Sequence, residues 1–436
     1  MKRTASCIAT SLASIFLAGC VSSSANTHSE GQEPNQSASA RGVNAVQSGD
    51  YAAALAALTP LAARGDAIAQ YNLGRMYEYG QGVPRDLDRA TSLFRESAAQ
   101  GNPDGENSLG ARYETGDALP QDYSQAAAWF RKAAAQGNAK AEYNLGVLYE
   151  HGRSVPLDYA AAAAWYLKSA PQGYALVQYN LALMYDQGRG VPTDQAQAVT
   201  WYTKAANQGM ARAENELGVR YERGENVPKD EALAFEWYRK SAAAGDVDAL
   251  NNLGRFYENG QGVQRDEAKA IELYKQAANN GDVSAQTSLG RVYLYLGDQG
   301  DSTNYAQALM WYSSAAQQGD VDAKNGLGVL YANGHGVEKD YAKALMLYRE
   351  ASEQGDGYAV LNLGAMYFHG FGVAHDLVAA YALTNFAASM GSAAPGNAVI
   401  ERNNSKNLMS AAQIKLGDAL TRRMQRDGLL KALDSR

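Results

Sequence analysis

The sequence predicts an all-α fold, a right-handed α–α superhelix (solenoid) of about nine 36-residue helix hairpins closed by end caps. Three observations carry this prediction. A Leu-Gly-x-x-Tyr cluster, first seen as Leu73-Gly74-Arg75-Met76-Tyr77, returns every 36 residues at Tyr113, Tyr149, Tyr185, Tyr221, Tyr257 and Tyr293, then at Tyr331 after 38 and Tyr367 after 36. Within each period the apolar residues follow helical spacing twice, on either side of a Gly-rich turn. An Asp or Asn recurs at the start of both helical stretches, where a side-chain oxygen satisfies first-turn amides. Self-similarity at a period of a few tens of residues marks hairpins that bury their apolar faces only by stacking.

The chain begins outside the repeats. Met1-Lys2-Arg3 precedes an apolar stretch, residues 4–18, too short for an ordinary spanning helix, which ends in Leu17-Ala18-Gly19-Cys20. This resembles a bacterial lipoprotein signal with its lipobox, which implies a signal peptide over 1–19 and acylation of Cys20 as a membrane anchor. Cys7 and Cys20 are the only cysteines, so a chain processed in this way keeps no free thiol. Val21 follows the cysteine rather than the Asp that resembles an inner-membrane retention signal, so in a Gram-negative cell the expected site is the outer membrane, facing the periplasm. Residues 20–41, rich in Ser, Asn and Gln, read as a disordered tether. Residues 42–65 align with second helices one period earlier and read as an N-terminal capping half-repeat. The formal charge of −7, with no basic block, excludes the clustered footprint of a nucleic-acid binder.

The unit from Asp66 to Gly101 stands for the others. Ala69, Leu73, Met76 and Tyr77 give a first helix over 66–79. Gly80-Gln81-Gly82-Val83-Pro84 turns the chain, and Asp86 caps a second helix with Ala90, Leu93, Phe94 and Ala98 inward. The second cap recurs as Asp122, Asp158, Asp194, Asp230, Asp266, Asn304, Asp340 and Asp376. All five tryptophans (Trp129, Trp165, Trp201, Trp237, Trp311) occupy one second-helix position, which reads as packing between successive hairpins. Gly74 and its equivalents let neighbouring helices approach. Unit seven replaces the Gly-x-Gly-Val turn with residues 294–304 and two extra residues, which predicts a protruding loop.

The composite pattern Ala-x-x-x-Leu-Gly-x-x-Tyr-x-x-Gly-x-Gly-Val-x-x-Asp, followed by Ala-x-x-Trp-Tyr-x-x-Ala-Ala-x-x-Gly, resembles the Sel-one-like repeat (SLR) family, a relative of the tetratricopeptide repeat. The resemblance covers residues 66–391. It implies first helices lining a concave face and roles in envelope assembly, polysaccharide export, signalling or host contact. The segment 392–436 reads as a connection or frayed helix followed by a C-terminal capping helix with Ser410 as its cap, similar to the helix that closes many secreted members.

No catalytic motif is present: no Gly-x-Ser-x-Gly elbow, Ser-x-x-Lys, Walker loop or His-Glu-x-x-His. The recurring Asp residues are explained by caps, and no cofactor or metal is expected. The candidate binding surface is the position directly before the Leu-Gly anchor, held by Asn72, Asn144, Asn180, Glu216, Asn252 and Asn362. Amides offer donors and acceptors together, so such a ladder grips an extended peptide; its alternative role is an interhelix hydrogen bond that sets repeat geometry. Arg75, Arg112, Arg220, Arg255 and Arg291 also project from first helices as candidate contacts for an acidic ligand. The expected function is a membrane-anchored, non-enzymatic envelope scaffold mediating protein–protein interactions, with envelope proteins or extended peptides as partners. Alternatives are a peptidoglycan- or exopolysaccharide-associated scaffold that binds glycan, an immunity or inhibitor lipoprotein against a secreted toxin, and a β-lactam or cell-wall hydrolase.

Overall fold

The computed structural model describes residues 34–391 and 396–435, and every regular element among them is helical. The lipobox, Cys20 and the first part of the tether lie outside the described residues. The chain divides into two compact units, residues 1–213 and 214–436.

In the first unit, α1 (Pro34–Ser48) pairs with α2 (Tyr51–Ala63). Four repeats follow: α3 (Ala67–Tyr79) with α4 (Leu87–Ala99), α5 (Pro103–Thr115) with α6 (Tyr123–Ala135), α7 (Ala139–His151) with α8 (Tyr159–Ser169), and α9 (Ala175–Gln187) with α10 (Gln195–Ala206). The helix α11 (Ala211–Arg223) begins at the end of this unit and continues into the second. There the pairs are α13 (Val247–Asn259) with α14 (Glu267–Asn279), α15 (Val283–Asp298) with α16 (Asn304–Gln317), α17 (Val321–Asn333) with α18 (Tyr341–Glu353), and α19 (Gly357–His369) with α20 (Leu377–Ala388), all preceded by α12 (Glu231–Ala243). The C-terminus adds α21 (Ala398–Asn407), α22 (Ala411–Asp427) and α23 (Leu429–Asp434).

The caps act as the sequence requires. Asp86, Asp122, Asp158, Asp194, Asp230, Asp266, Asp340 and Asp376 each accept a backbone N–H of the first turn. Most first helices end on glycine in the left-handed region, as at Gly80 (φ 70°), whose N–H returns to the Met76 carbonyl. The glycine of the Leu-Gly anchor is a packing device. A methyl on Gly74 would stand 2.8 Å from the Phe94 ring, on Gly218 2.6 Å from Tyr238, and on Gly254 2.7 Å from Tyr274. The first helix thus lies against the aromatic of its own second helix with no room for a Cβ.

Four expectations need correction. The tether was expected to reach residue 41, but α1 starts at Pro34; proline suits the first helical turn, and Ala38, Ala45 and Val46 pack on the core of α2 and α3 while Ser39 donates to Asp66 at 2.8 Å. The 42–65 cap is therefore the second half of a complete hairpin. Residues 294–304 do not form a protruding loop throughout: Leu294 to Asp298 extend α15 by a turn, because Leu294 and Leu296 face the core and Gly297 fits under the Tyr305 ring. Asn304 is not the cap of α16, whose N-cap position is Thr303 with no side-chain bond. The tryptophan position packs as expected, with Trp165 and Trp311 against the core, and the residue after it is buried more deeply. Tyr166, Tyr202, Tyr238, Tyr274, Phe94 and Phe130 are fully buried, whereas of the tryptophans only Trp201 is buried and the others are half-buried. The C-terminal helix forms as expected: Ser410 and Gln413 make a capping box at the start of α22.

Candidate functional site

The first helices carry the candidate site, and their side chains divide between holding repeats together and facing outward. The Asn ladder works largely between repeats. Asn144 donates its amide to the Asn107 side chain at 2.9 Å, Asn252 to Asn215 at 3.1 Å, and Asn362 to Asn325 at 2.9 Å, each one repeat earlier. Asn72 donates to the Ile68 carbonyl of its own helix at 2.8 Å, and Glu216 lies 3.5 Å from Arg220. Asn180 stands beside the hydroxyls of Tyr143 and Tyr166. Asn72 is buried and the other five are half-buried.

The arginines are also used internally. Arg255 donates to Glu222 at 2.7 Å, and Arg291 reaches both oxygens of Glu258 at 2.6 and 2.8 Å. Each of these glutamates also accepts a buried tyrosine hydroxyl, Tyr238 on Glu222 at 2.8 Å and Tyr274 on Glu258 at 2.7 Å. Burial pushes both carboxyls up, but the arginine and tyrosine hydrogen bonds outweigh it and hold them below their ordinary value. In the first unit Glu150 takes Tyr166 at 2.7 Å and Arg189 at 3.2 Å. Arg112 and Arg220 occupy the core-facing position that Met76 holds elsewhere, are almost fully buried, and pair with Glu78 and Glu216 respectively.

A second clamp escaped the sequence reading. Glutamine near the end of a second helix donates to the buried polar residue three places into the preceding first helix: Gln100 to Gln70 at 2.7 Å, Gln136 to Glu106 at 2.8 Å, Gln172 to Glu142 at 2.9 Å and Gln208 to Gln178 at 2.7 Å. Burial raises the Glu106 and Glu142 carboxyls. The recurrence of Gln at a 36-residue step was the available signal, hidden because its partner is Gln in two of these repeats and Glu in the other two.

A further cluster of tyrosines and cations on the first unit is partly exposed: Tyr79 is exposed, and Tyr71, Arg75, Lys140 and Tyr143 are half-buried. The Arg75 guanidinium lies 6.0 Å from the Tyr71 ring and 5.6 Å from the Tyr79 ring, and Tyr79 is 56% exposed. Lys140, two repeats on, is held below its ordinary value by burial first and by the Arg75 charge second. Burial pushes the Tyr143 hydroxyl up to about 12. Tyr143 stacks on Tyr166 at 5.6 Å, and Tyr179 packs on Tyr202 at 5.7 Å. Aromatic faces beside guanidinium and ammonium groups are chemically suited to apolar and acidic side chains. Among the described residues no group of three or more His, Cys, Asp or Glu gathers as a metal site requires, and no helix is long and apolar enough to cross a membrane.

Nine consecutive segments, 67–102, 103–138, 139–174, 175–210, 211–246, 247–282, 283–320, 321–356 and 357–392, match the Sel1 repeat model. Among solved structures, the chain is similar to c5321, a protective antigen present in uropathogenic Escherichia coli strains displaying an SLR fold, at 34% identity and TM-score 0.76. That match covers 91% of this chain and 85% of the relative. It is similar also to a Sel1 repeat protein from Oxalobacter formigenes, at 31% identity and TM-score 0.51, over 56% of this chain and 99% of the other. No curated protein sequence matches the chain.

Proposed function

Since this chain belongs to the Sel1 repeat family, whose repeats generally mediate protein–protein interactions, we propose that it is an envelope scaffold that docks an extended segment of a partner protein on its first-helix face and is anchored to the membrane through an acylated Cys20. The observation that carries the docking surface is the partly exposed cluster of Tyr71, Arg75, Tyr79 and Lys140 in the first unit, with Tyr79 its exposed member. The other first-helix arginines are engaged by glutamates, whereas Arg75 rests between two tyrosine rings. The Asn row sets the repeat geometry. The anchor rests on the lipobox sequence, and the E. coli relative's being a protective antigen supports an envelope location.

A photoreactive residue placed at Tyr79 in living cells tests the docking surface, with one at Ser92, on the second helix of the same repeat, as the comparison. Adducts to a defined envelope protein from position 79, absent from position 92 and lost in Arg75→Ala, are the expected outcome. Equal yields from both positions sink the first-helix assignment. The anchor is tested separately: a labelled fatty acid should enter the native chain and not Cys20→Ala.

A further inference from the structure

One buried tyrosine of the second unit is left without the partner that its equivalents have. Tyr166, Tyr238 and Tyr274 each place their hydroxyl on a glutamate of the first helix in the same hairpin, Glu150, Glu222 and Glu258. Beside Tyr312 that glutamate is replaced by Leu294. Tyr312 is only 5% exposed, yet its hydroxyl has no hydrogen-bond partner among the described residues. The next repeat opens the space over it. The position directly before the Leu-Gly anchor, held by Asn, Ser or Glu in every other repeat, is Gly326, and a Cβ there would stand 2.5 Å from the ring carbon that bears the hydroxyl. Asp322 lies four residues before Gly326, one turn back on the same face of α17, and is exposed. Partial burial first and the Asp320 charge second hold its carboxyl above its ordinary value, and both carboxylates act on the Tyr312 hydroxyl. Asp356, the cap of α19, feels the Asp322 charge in turn. The cations at hand are engaged elsewhere: Lys324 on Glu350 at 2.9 Å, and Arg291, which acts on Tyr312, on both oxygens of Glu258 at 2.6 and 2.8 Å.

We propose that this face of the second unit binds a basic segment of a partner protein, with one lysine ammonium seated among the Asp322 and Asp320 carboxylates and the Tyr312 hydroxyl. Charge complementarity selects a cation, because the acids that act on one another here have no basic neighbour to offset them. Asp320 has room for it. One of its oxygens takes the Thr287 hydroxyl at 2.9 Å and the Ala323 N–H at 2.8 Å, and the other is left over. The hydroxyl selects the kind of cation. A phenol both accepts and donates, so Tyr312 takes one ammonium N–H and passes its own proton to a carbonyl. A peptide brings an ammonium and a carbonyl together, whereas a free amine brings only the first. Leaving a buried hydroxyl unmatched costs free energy that such a ligand recovers. A metal ion is disfavoured, since no three His, Cys, Asp or Glu among the described residues gather closely enough to hold one. One repeat on, Tyr358 stands at the position equivalent to Asp322 and is 60% exposed, which offers the peptide an apolar face beside the charged pocket.

The test is a fluorescence-anisotropy titration of the full chain with a labelled, end-blocked Gly/Ser peptide built around Lys-Gly-Lys, and with the same peptide acetylated on both lysines. The charged peptide should bind more tightly by about fivefold or more, and its affinity should fall as salt rises. Asp322→Asn should weaken it by about fivefold, the upper range for one partly exposed ion pair. Tyr312→Phe should weaken it by about threefold or more. That variant should keep its melting temperature, because the hydroxyl it loses holds nothing inside the protein. Asp248→Asn is the comparison. It removes the same charge from the same helix position in α13, where Glu222 holds the Tyr238 hydroxyl and Asn252 stands in place of the glycine, and it should change affinity by less than about twofold. Equal losses from Asp322→Asn and Asp248→Asn, or affinity unchanged in Tyr312→Phe, overturn the proposal. Displacement of the peptide by an equal concentration of 1,5-diaminopentane also overturns it and gives the site to small amines. The docking surface of the first unit stands or falls separately, since no residue is shared.

Discussion

At the scale of single residues, each repeat is fixed by contacts that leave little latitude. Gly218 has no room for a Cβ because the Tyr238 ring would lie 2.6 Å away, and that ring cannot withdraw while its hydroxyl is held on Glu222. Gly218→Ala should therefore destabilise by about 1–3 kcal/mol through overpacking, despite alanine's better helix propensity, and a urea melt of the variant checks the sign. Ala182, the natural alanine at the equivalent position, was readable from the sequence, yet how its repeat accommodates it was not. A second residue-scale effect concerns pH. Glu106 is buried and its carboxyl is raised, so at neutral pH the folded state carries a charge that the unfolded chain holds more easily. As pH falls through the raised folded value towards the ordinary one, that penalty is relieved. The equivalent positions 70 and 178 hold Gln and receive the same glutamine clamp. Glu106→Gln should thus raise the melting temperature by roughly 1–3 °C at pH 7, with the gain disappearing in acid. A gain that instead persists unchanged below the carboxyl range would assign it to packing rather than to charge.

At the scale of elements, the hairpins were legible because their signals are local. Caps, Gly-rich turns and helical periodicity each reside within one repeat, and the second-helix caps from Asp86 to Asp376 stand where the sequence put them, Asn304 excepted. The exceptions arose where a neighbouring element decides. The turn of α15 from Leu294 to Asp298 has the composition of a loop, but Leu294 and Leu296 find a core and Gly297 finds the Tyr305 ring. The start of α1 reads as a polar tether until α2 and α3 supply something for Ala45 and Val46 to pack on. The Asn row likewise reads as a ligand grip when each repeat is viewed alone; its amides reach Asn107, Asn215 and Asn325, all in the preceding repeat. The partly exposed cluster of Tyr79, Arg75 and Lys140 was only partly legible, because no period links its members. The turn itself yields a prediction. Gly82 and most of its equivalents take a left-handed backbone, but Ala118, Ser154 and Asn226 stand there with φ near 60°. Alanine pays the most for that conformation, having no polar side chain to compensate. Ala118→Gly should stabilise the protein by about 0.5–1 kcal/mol, read as a shifted denaturation midpoint with unchanged slope.

At the scale of the whole molecule, nearly every stabilising contact among the described residues joins a residue to its own repeat or to the next one. The glycine–aromatic contacts close hairpins, the glutamine clamps link a second helix to the first helix of its own hairpin, and the Arg–Glu–Tyr triads bind a repeat to its successor. A long-range exception lies at the C-terminus, where Arg349 pairs with Asp434. Such a nearest-neighbour pattern makes stability a sum along the chain rather than a property of one core. Damage should then stay near its origin. Gly146→Leu, which drives a side chain into the buried Tyr166 ring, should open the amides of α7 and α8 to hydrogen exchange first, then those of α6 and α9. Protection in α17 to α20 should remain near the native level under the same conditions, because no contact of the Gly146–Tyr166 pair reaches them. Exchange measured by mass spectrometry resolves these segments. Uniform loss of protection from α3 to α20 would mean that the array unfolds as one cooperative block, and the additive account of its stability would fall.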